Sequence, residues 1–215
     1  TAKILYELYL GLTVIEVILL YLFGMNLFDS LTLSFGTTGT GGFSIRNDGF
    51  ASYRPAVQNI VTLFMILSGI NYSFYFCLLS KQFKDAFSIE EVRWYLAIIL
   101  LSAIAIATNI RNLYGSMEET LRHAFFQVGS IITTTGYSTT DFDTWPQFSK
   151  TILVILMFIG ACAGSTGGGI KVSRFLIYLK SLGKELSILI HPRLVKKIKM
   201  DGHNVSQEVI RSTHV

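Results

Sequence analysis

Charged side chains are scarce in this chain. They make up 15% of its 215 residues, whereas 51% are hydrophobic and the mean hydropathy is +0.50. A soluble domain carries about 25% charged residues. The shortage of charge therefore argues against an ordinary soluble domain and favours a protein embedded in a lipid bilayer.

Cysteine is equally rare, and its two occurrences, Cys77 and Cys162, both fall inside apolar runs. Such a pair supports neither a disulfide framework nor a metal site of Cys/His spacing. The four histidines are scattered, and no acid pair or nucleophile–base set stands out. The glycine cluster before Lys171 is not a phosphate-binding loop, because Ile170 separates its last glycine from the lysine. We therefore predict that the chain is not an enzyme and holds no tightly bound organic cofactor.

Four apolar runs are long enough, alone or with their flanks, to indicate membrane spans. They cover residues 4–23, 56–79, 94–107 and 151–163, and the last continues past a glycine cluster toward residue 179. A spanning helix needs roughly 20 mostly apolar residues. The predicted fold class is an all-α membrane protein. Buried helices of a soluble core are the alternative, which the low charge disfavours.

Two threonine- and glycine-rich segments, 35–43 and 131–137, lie between these runs, and both lead into glycine, an aromatic residue and serine. At membrane depth, a ring of backbone carbonyls can replace the hydration shell of a cation. No carboxylate is present in either segment, which favours an alkali cation over Ca²⁺. A tight loop without ions is the alternative. The candidate filter residues are Thr40, Gly41, Gly42, Thr133, Thr134, Thr135 and Gly136.

The flanks of these segments indicate an internal duplication. Gly69 and Gly160 each follow a proline, Pro55 and Pro146, by 14 residues. Each copy is predicted to run helix, re-entrant pore helix, filter loop, helix, as in a K⁺ channel, with pore helices at 27–35 and 117–129. Ser116 is the expected cap of the second pore helix. The predicted units are residues 1–90, 91–185 and a connection, 186–215, toward a further repeat.

The positions of lysine and arginine predict the orientation. Lys81, Lys84 and Arg93 lie between the two copies, and a second basic group follows the second copy: Lys180, Lys184, Arg193, Lys196, Lys197 and Lys199. The positive-inside rule places these groups in the cytoplasm and the filters toward the outside. A basic inner face is normal for a membrane protein, so the net charge of +4 needs no nucleic-acid partner.

A glycine cluster stands where the last spanning helix is expected to continue: Gly164, Ser165, Thr166, Gly167, Gly168 and Gly169. Each glycine costs about 1 kcal/mol relative to alanine in a helix, so we predict an intramembrane loop below the filter that blocks the pore and moves aside. Close helix packing through small residues is the alternative. Lys171 and Arg174 follow this loop, where they repel cations, clamp the loop or extend to the membrane interface.

The stretch 160–172 resembles the interrupted helix of the Trk/Ktr potassium-uptake family, in its TrkH-like branch. Residues 133–137 resemble the third filter segment of that family, and residues 40–44 resemble the second. The resemblance implies four repeats around one pore, of which this chain is expected to supply the second and third. The first and last repeats are then missing.

The same resemblance implies potassium transport across the bacterial inner membrane by a multi-pass protein, with K⁺ at Gly42 and Gly136. Its expected partners are the missing repeats, a second copy in a homodimer and a TrkA-like nucleotide-binding ring in the cytoplasm. A Na⁺-permissive transporter or K⁺/Na⁺ symporter is an alternative. A two-repeat channel that completes its pore by dimerisation is another.

Overall fold

The computed structural model describes residues 2–191, 197–206 and 208–210, and nearly all of them lie in helices and their connections. The predicted basic residues Arg193 and Lys196 fall outside the described residues. In the first half the helices are α1 (Ala2–Leu22), α2 (Leu27–Thr38), α3 (Pro55–Ser68), α4 (Tyr72–Leu79) and α5 (Phe83–Ser88). The second half has α6 (Glu90–Ile110), α7 (Met117–Ile132), α8 (Gln147–Phe158) and α9 (Val172–Ile190).

The element order repeats, as predicted for tandem units in an all-α fold. A long helix is followed by a helix ending at a filter segment and then by a helix that starts at a proline. Short 3₁₀ turns at Arg111–Leu113 and Phe142–Thr144 join elements of the second half. A small antiparallel hairpin, β1 (Lys199–Met200) with β2 (His203–Asn204), follows α9.

Membrane-crossing potential is present in both halves. Within the described part of the chain, two helices are long and apolar enough to span a bilayer, Lys3–Leu22 and Glu90–Leu113. A third span is formed if α3 and α4 are counted together, although they meet at an angle of 92°. The apolar run 56–79 is therefore not one straight helix, because Gly69 ends α3 and the Asn71 side chain accepts a hydrogen bond from the Ser73 N–H, 2.8 Å, to start α4.

Both re-entrant helices begin at the predicted residues and continue three residues further than predicted. The Ser116 hydroxyl accepts a hydrogen bond from the Glu119 N–H at 3.1 Å, which confirms the expected cap of α7. The cap of α2 is Asn26, whose side chain accepts from the Asp29 N–H at 2.7 Å. Both helices thus point their C-terminal ends, which carry partial negative charge, at the filter segments.

Two buried clusters hold the halves together. One surrounds α6 and α7 and includes Tyr95 and Trp145, and the other joins the first half to α7 through Phe50, Phe126 and Tyr137. Phe50 packs against Tyr137 with ring centroids 4.6 Å apart. The second cluster matters for the site, because it fixes one filter segment against the other.

Gly69 provides a test of packing at the break between α3 and α4. A Cβ at Gly69 would lie 2.2 Å from the Tyr95 hydroxyl and 3.0 Å from the Thr133 methyl. Overpacking of this kind costs about 1–3 kcal/mol. We expect Gly69→Ala to lower the thermal unfolding midpoint in detergent, and Tyr95→Phe to relieve part of that loss. Gly183→Ala is the control, since a Cβ there meets no atom within 4 Å; equal midpoints for the two glycine variants would contradict this packing.

Candidate filter and glycine loop

The two filter segments have the same backbone pattern. Thr40 and Thr134 have φ of +49° and +59°, and Gly42 and Gly136, two residues further on, have φ of +72° and +87°. Alternate left-handed residues turn successive peptide groups, so that carbonyls can face one side instead of alternating as in a strand. Both segments therefore have a backbone suited to line a pore.

The threonines carry the strain of this pattern. A positive φ is unusual for a β-branched residue and costs of order 1–3 kcal/mol. Each hydroxyl donates to the carbonyl of the preceding residue, Thr40 to Gly39 at 2.8 Å and Thr134 to Thr133 at 2.6 Å. Strained residues at equivalent places in two repeats indicate a functional requirement.

The segments lie side by side. A Cβ at Gly42 would be only 1.9 Å from the Thr135 carbonyl oxygen, so only glycine fits there. The Tyr137 hydroxyl, from the second segment, donates to the carbonyl of Phe43 in the first at 3.3 Å. Residues 39–42 and 133–136 therefore share one site.

Other threonine hydroxyls fix the second segment to its pore helix. Thr133 donates to the Gly129 carbonyl at 2.6 Å and also lies 2.8 Å from the Thr135 hydroxyl. The backbone N–H of Thr135 donates to the Ser130 carbonyl at 2.9 Å. The hydroxyls of Thr133 and Thr135 thus hold the backbone in place. The main-chain carbonyls of the same two residues are part of the filter segment.

An irregular stretch between α8 and α9 contains the predicted glycine loop. It is tied at its ends by hydrogen bonds from the Gly160 N–H to the Ile170 carbonyl, 2.8 Å, and from the Val172 N–H to the Ala161 carbonyl, 3.2 Å. A Cβ at Gly160 would lie 2.1 Å from the Gly168 carbonyl oxygen. Glycine is needed here for the close return of the chain, which a continuous helix does not have.

The loop meets both filter segments through equivalent threonines, near the C-terminal ends of the two pore helices. The Thr40 hydroxyl shares its single proton between the Gly39 carbonyl and the Thr166 carbonyl, which lies 3.0 Å away, and the Thr134 hydroxyl accepts from the Gly168 N–H at 2.7 Å. A Cβ at Gly167 would be 3.1 Å from the Thr133 carbonyl oxygen. The loop therefore contacts both candidate filter segments directly.

The same loop also contacts the break between α3 and α4. The Cys162 N–H donates to the Gly69 carbonyl at 3.0 Å, and the Tyr72 N–H donates to the Gly164 carbonyl at 3.2 Å. The Thr166 hydroxyl donates to the Ser68 carbonyl at 3.3 Å. The helices are interrupted at corresponding positions of the two repeats, and backbone groups at one interruption form hydrogen bonds with groups at the other. The sequence predicted only the second, because the first has one glycine instead of a cluster.

The remaining predicted residues have different surroundings. The Ser165 hydroxyl closes a turn of the loop on the Cys162 carbonyl at 2.6 Å. The ammonium group of Lys171 donates to the Gly167 carbonyl, and this hydrogen bond holds the loop to a residue that follows it. Arg174 is exposed on the first turns of α9.

Sequence analysis missed Glu91, a buried residue near the start of α6. Its carboxylate accepts hydrogen bonds from the N–H groups of Ala163 and Ser173, at 2.7 and 3.0 Å. An acid at a helix N-terminus is ordinary. The position of Glu91 at the start of α6 therefore gave no indication that it bonds to Ala163, 72 residues away.

A cavity of about 490 Å³ lies at the C-terminal ends of the two filter segments. Gly42 and Gly136 line it, together with Asp48 and Asp141, whereas Asp143 is not among its lining residues. A hydrogen bond from the Ser52 hydroxyl lowers the pKa of Asp48 below its ordinary value. Asp48 therefore stays ionised at the mouth of the filter across the neutral range.

Tandem units of long helix, re-entrant helix, filter segment and interrupted helix define a pore-loop membrane protein. A family model described as "Cation transport protein", TrkH, matches residues 1–215. This chain belongs to the TrkH family, as the resemblance in its motifs predicted.

The relatives agree with this assignment. The chain is 37% identical to the Trk system potassium uptake protein TrkH of Salmonella typhimurium, and the match covers 99% of the chain and 45% of the relative. It is 31% identical to TrkG of Escherichia coli over 99% of the chain and 44% of that protein. The crystal structure of the potassium transporter TrkH from Vibrio parahaemolyticus superimposes with a TM-score of 0.93 at 34% identity, over all of this chain and 47% of that one. The chain thus spans a little under half the length of these relatives.

Gly42 offers the sharpest test of the paired filter segments. We expect Gly42→Ala in the full-length protein to reduce Rb⁺ uptake by about tenfold or more, because the added Cβ would displace the Thr135 carbonyl oxygen and ~1.4 kcal/mol of lost ion binding is a factor of ten. Gly11→Ala is the control, because a Cβ at that helical position meets no atom within 4 Å. Uptake by Gly42→Ala within a factor of about two of Gly11→Ala would contradict the pairing.

Proposed function

We propose that this chain forms part of a potassium-conducting pore, with K⁺ held by carbonyls at Gly42 and Gly136. The observation that carries the proposal is the pair of filter segments with matching backbone, packed side by side at the ends of two helices. Carbonyl dipoles and two helix C-termini suit a monovalent cation. The printed names of the relatives, which are potassium uptake proteins, support K⁺ as the ion.

The rest of the pore is proposed to come from further repeats of the same protein. Tyr137 is buried against the pore helix of the preceding repeat, where its hydroxyl lies 3.5 Å from the Leu33 carbonyl. Phe43 holds the equivalent place in the first segment and is 80% exposed. The pore helix of a preceding repeat would bury Phe43 in the way that α2 buries Tyr137. We propose units of 1–90 and 91–185 for the two repeats, with 186–215 leading to another.

The loop 164–169 is proposed as the gate. It occupies the inner end of the filter segments through Thr40 and Thr134, and its fold depends on glycines that leave no room for side chains. Irregular backbone at membrane depth is tolerated where protein or a watery cavity surrounds it. Movement of the loop would free both threonines together and open the path below the filter.

The family and the charge pattern support a cellular location and an orientation. We propose a bacterial inner membrane, with the filters facing outward and Lys81, Lys84 and Lys180 facing the cytoplasm. The words "Trk system" in the names of the relatives support further subunits. We propose a second copy of the protein and a TrkA-like nucleotide-binding ring as these partners.

Shortening the loop tests the proposal. We expect removal of residues 164–169 from the full-length protein in proteoliposomes to raise K⁺ and Rb⁺ flux several-fold. K⁺ should still be preferred over Na⁺, because Thr40 and Thr134 lose their bonds to the loop but keep the hydrogen bonds to their own backbone. Flux is measured with each ion separately, on protein that remains monodisperse. Unchanged or reduced flux would reject the gate, and equal flux of Na⁺ and K⁺ in the intact protein would favour a Na⁺-permissive transporter.

The acidic mouth gives a second test. We expect Asp48→Asn with Asp141→Asn to lower Rb⁺ uptake roughly two- to tenfold at low ionic strength, because the mouth would no longer concentrate cations. The difference should shrink near 0.15 M salt, where the screening length is about 8 Å. Asp143→Asn is the matched control, since it lies in the same loop outside the cavity lining. An equal effect of the control, or no dependence on salt, would count against cation collection by this mouth.

A further inference from the structure

Glu91 is a buried acid that the proposed transport does not use. Its residue is 4% exposed, and one carboxylate oxygen, Oε1, accepts both the Ala163 N–H and the Ser173 N–H. Hydrogen bonds to a charged acceptor are about twice as strong as neutral ones. Burying a charge without such partners is costly, so the position of Glu91 and the fold of the loop depend on each other.

The two donors stand on either side of the glycine loop. Ala163 directly precedes Gly164, and Ser173 lies in the first turn of α9, just after the loop ends. One oxygen therefore joins both ends of the segment that contacts the filter. The positive end of the α9 dipole further favours a carboxylate at this place.

The neighbouring residue links the same helix end to the hairpin after α9. The Asp201 carboxylate accepts from the Glu90 N–H at 2.6 Å, and Lys180 donates to the Glu90 carboxylate at 2.7 Å. Lys180 also donates to the Lys199 carbonyl at 2.8 Å. Because α6 has 21 residues at about 1.5 Å each, this end lies roughly 30 Å from the end that leads into α7.

We propose that Glu91 is a positioning residue that holds the glycine loop against the filter, and that the hairpin 199–204 controls it through the start of α6. This inference rests on the proposed gate function of the loop. Displacing the hairpin would remove the Asp201 contact from the Glu90 N–H, shift the first turn of α6 and withdraw the oxygen that both loop ends share. A partner that binds at this face would thereby move the loop at the filter without itself entering the membrane.

Cys162 provides a readout of loop position that does not depend on transport. Cys162 is fully buried and lies two residues before the loop, and Cys77 is the other cysteine. The full-length protein is prepared with Cys77→Ser and any other native cysteines replaced. The rate at which a small charged methanethiosulfonate modifies Cys162 then reports how often the loop moves away from the filter segments. Rb⁺ flux in proteoliposomes is measured on the same preparations.

Three variants of Glu91 separate positioning from simple packing. We expect Glu91→Ala to raise the Cys162 modification rate about tenfold and to raise flux, and Glu91→Asp to do so less, because the shorter carboxylate cannot reach both donors. Glu91→Gln should fall between the unmodified protein and Glu91→Ala, since its amide oxygen can accept both hydrogen bonds but lacks the charge that strengthens them. If Glu91→Ala does not fold, Glu91→Asp carries the comparison. An unchanged modification rate in every folded variant would overturn the assignment.

The outcomes distinguish this inference from the gate proposal. A raised modification rate without raised flux, in Glu91→Ala and in the shortened loop alike, would leave Glu91 as the anchor and reject the gate. Raised flux from the shortened loop, with no effect of Glu91→Ala or Glu91→Asp on either readout, would keep the gate and reject Glu91.

The hairpin is tested in the same way. We expect Asp201→Ala to raise the Cys162 modification rate by a smaller factor than Glu91→Ala. Asp85→Ala is the control, since Asp85 is an exposed acid on α5 in the connection between the repeats. Equal rates for the two aspartate variants would overturn control by the hairpin.

Discussion

Backbone N–H and carbonyl groups that leave a helix inside a membrane must find partners within the protein, because lipid offers none. Among the described residues, helices are interrupted after Ser68 and after Phe158, and the rest of the site depends on how the backbone groups at these interruptions are satisfied. The Cys162 N–H reaches the Gly69 carbonyl, the Ala163 N–H reaches Glu91 and the Gly168 N–H reaches Thr134. Every one of these partners belongs to another element, so the interruptions form a single connected layer.

The filter is part of that layer. Thr40 and Thr134 are strained at positive φ, and their hydroxyls bond to the loop below as well as to their own backbone. A change in the loop thus removes hydrogen bonds from the residues that shape the filter. In the proposed mechanism the hydroxyls of Thr40 and Thr134 join the gate to the backbone that coordinates the ion, which explains physically why threonine occupies a position where glycine would be less strained.

Local patterns in the sequence predicted the elements well. The starts of α2 and α7, the cap at Ser116 and the interruption at the glycine cluster all follow from residues within one or two turns of each other. The family also followed from short motifs around Gly136 and Gly168. These are cases in which propensity, capping and glycine content act over short distances along the chain.

Contacts between distant residues were beyond the reach of such patterns. The bend after Gly69 has one glycine and an Asn71 cap, which is too weak a signal to break an apolar run on its own. Glu91 resembles any acid at the start of a helix, and its partners lie 72 and 82 residues away. The bond from Thr40 to the Thr166 carbonyl spans 126 residues, and only the folded chain shows that a filter threonine also binds the loop.

The central claim is that main-chain oxygens next to Gly42 and Gly136 bind a dehydrated monovalent cation. It is tested most directly by determining the structure of the full-length protein in Rb⁺ and measuring the anomalous signal. The account predicts a Rb⁺ peak between residues 40–42 and 134–136, in contact with their carbonyl oxygens and absent when Na⁺ replaces Rb⁺. Rb⁺ bound elsewhere with none between these segments, or filter segments that face lipid, would contradict it.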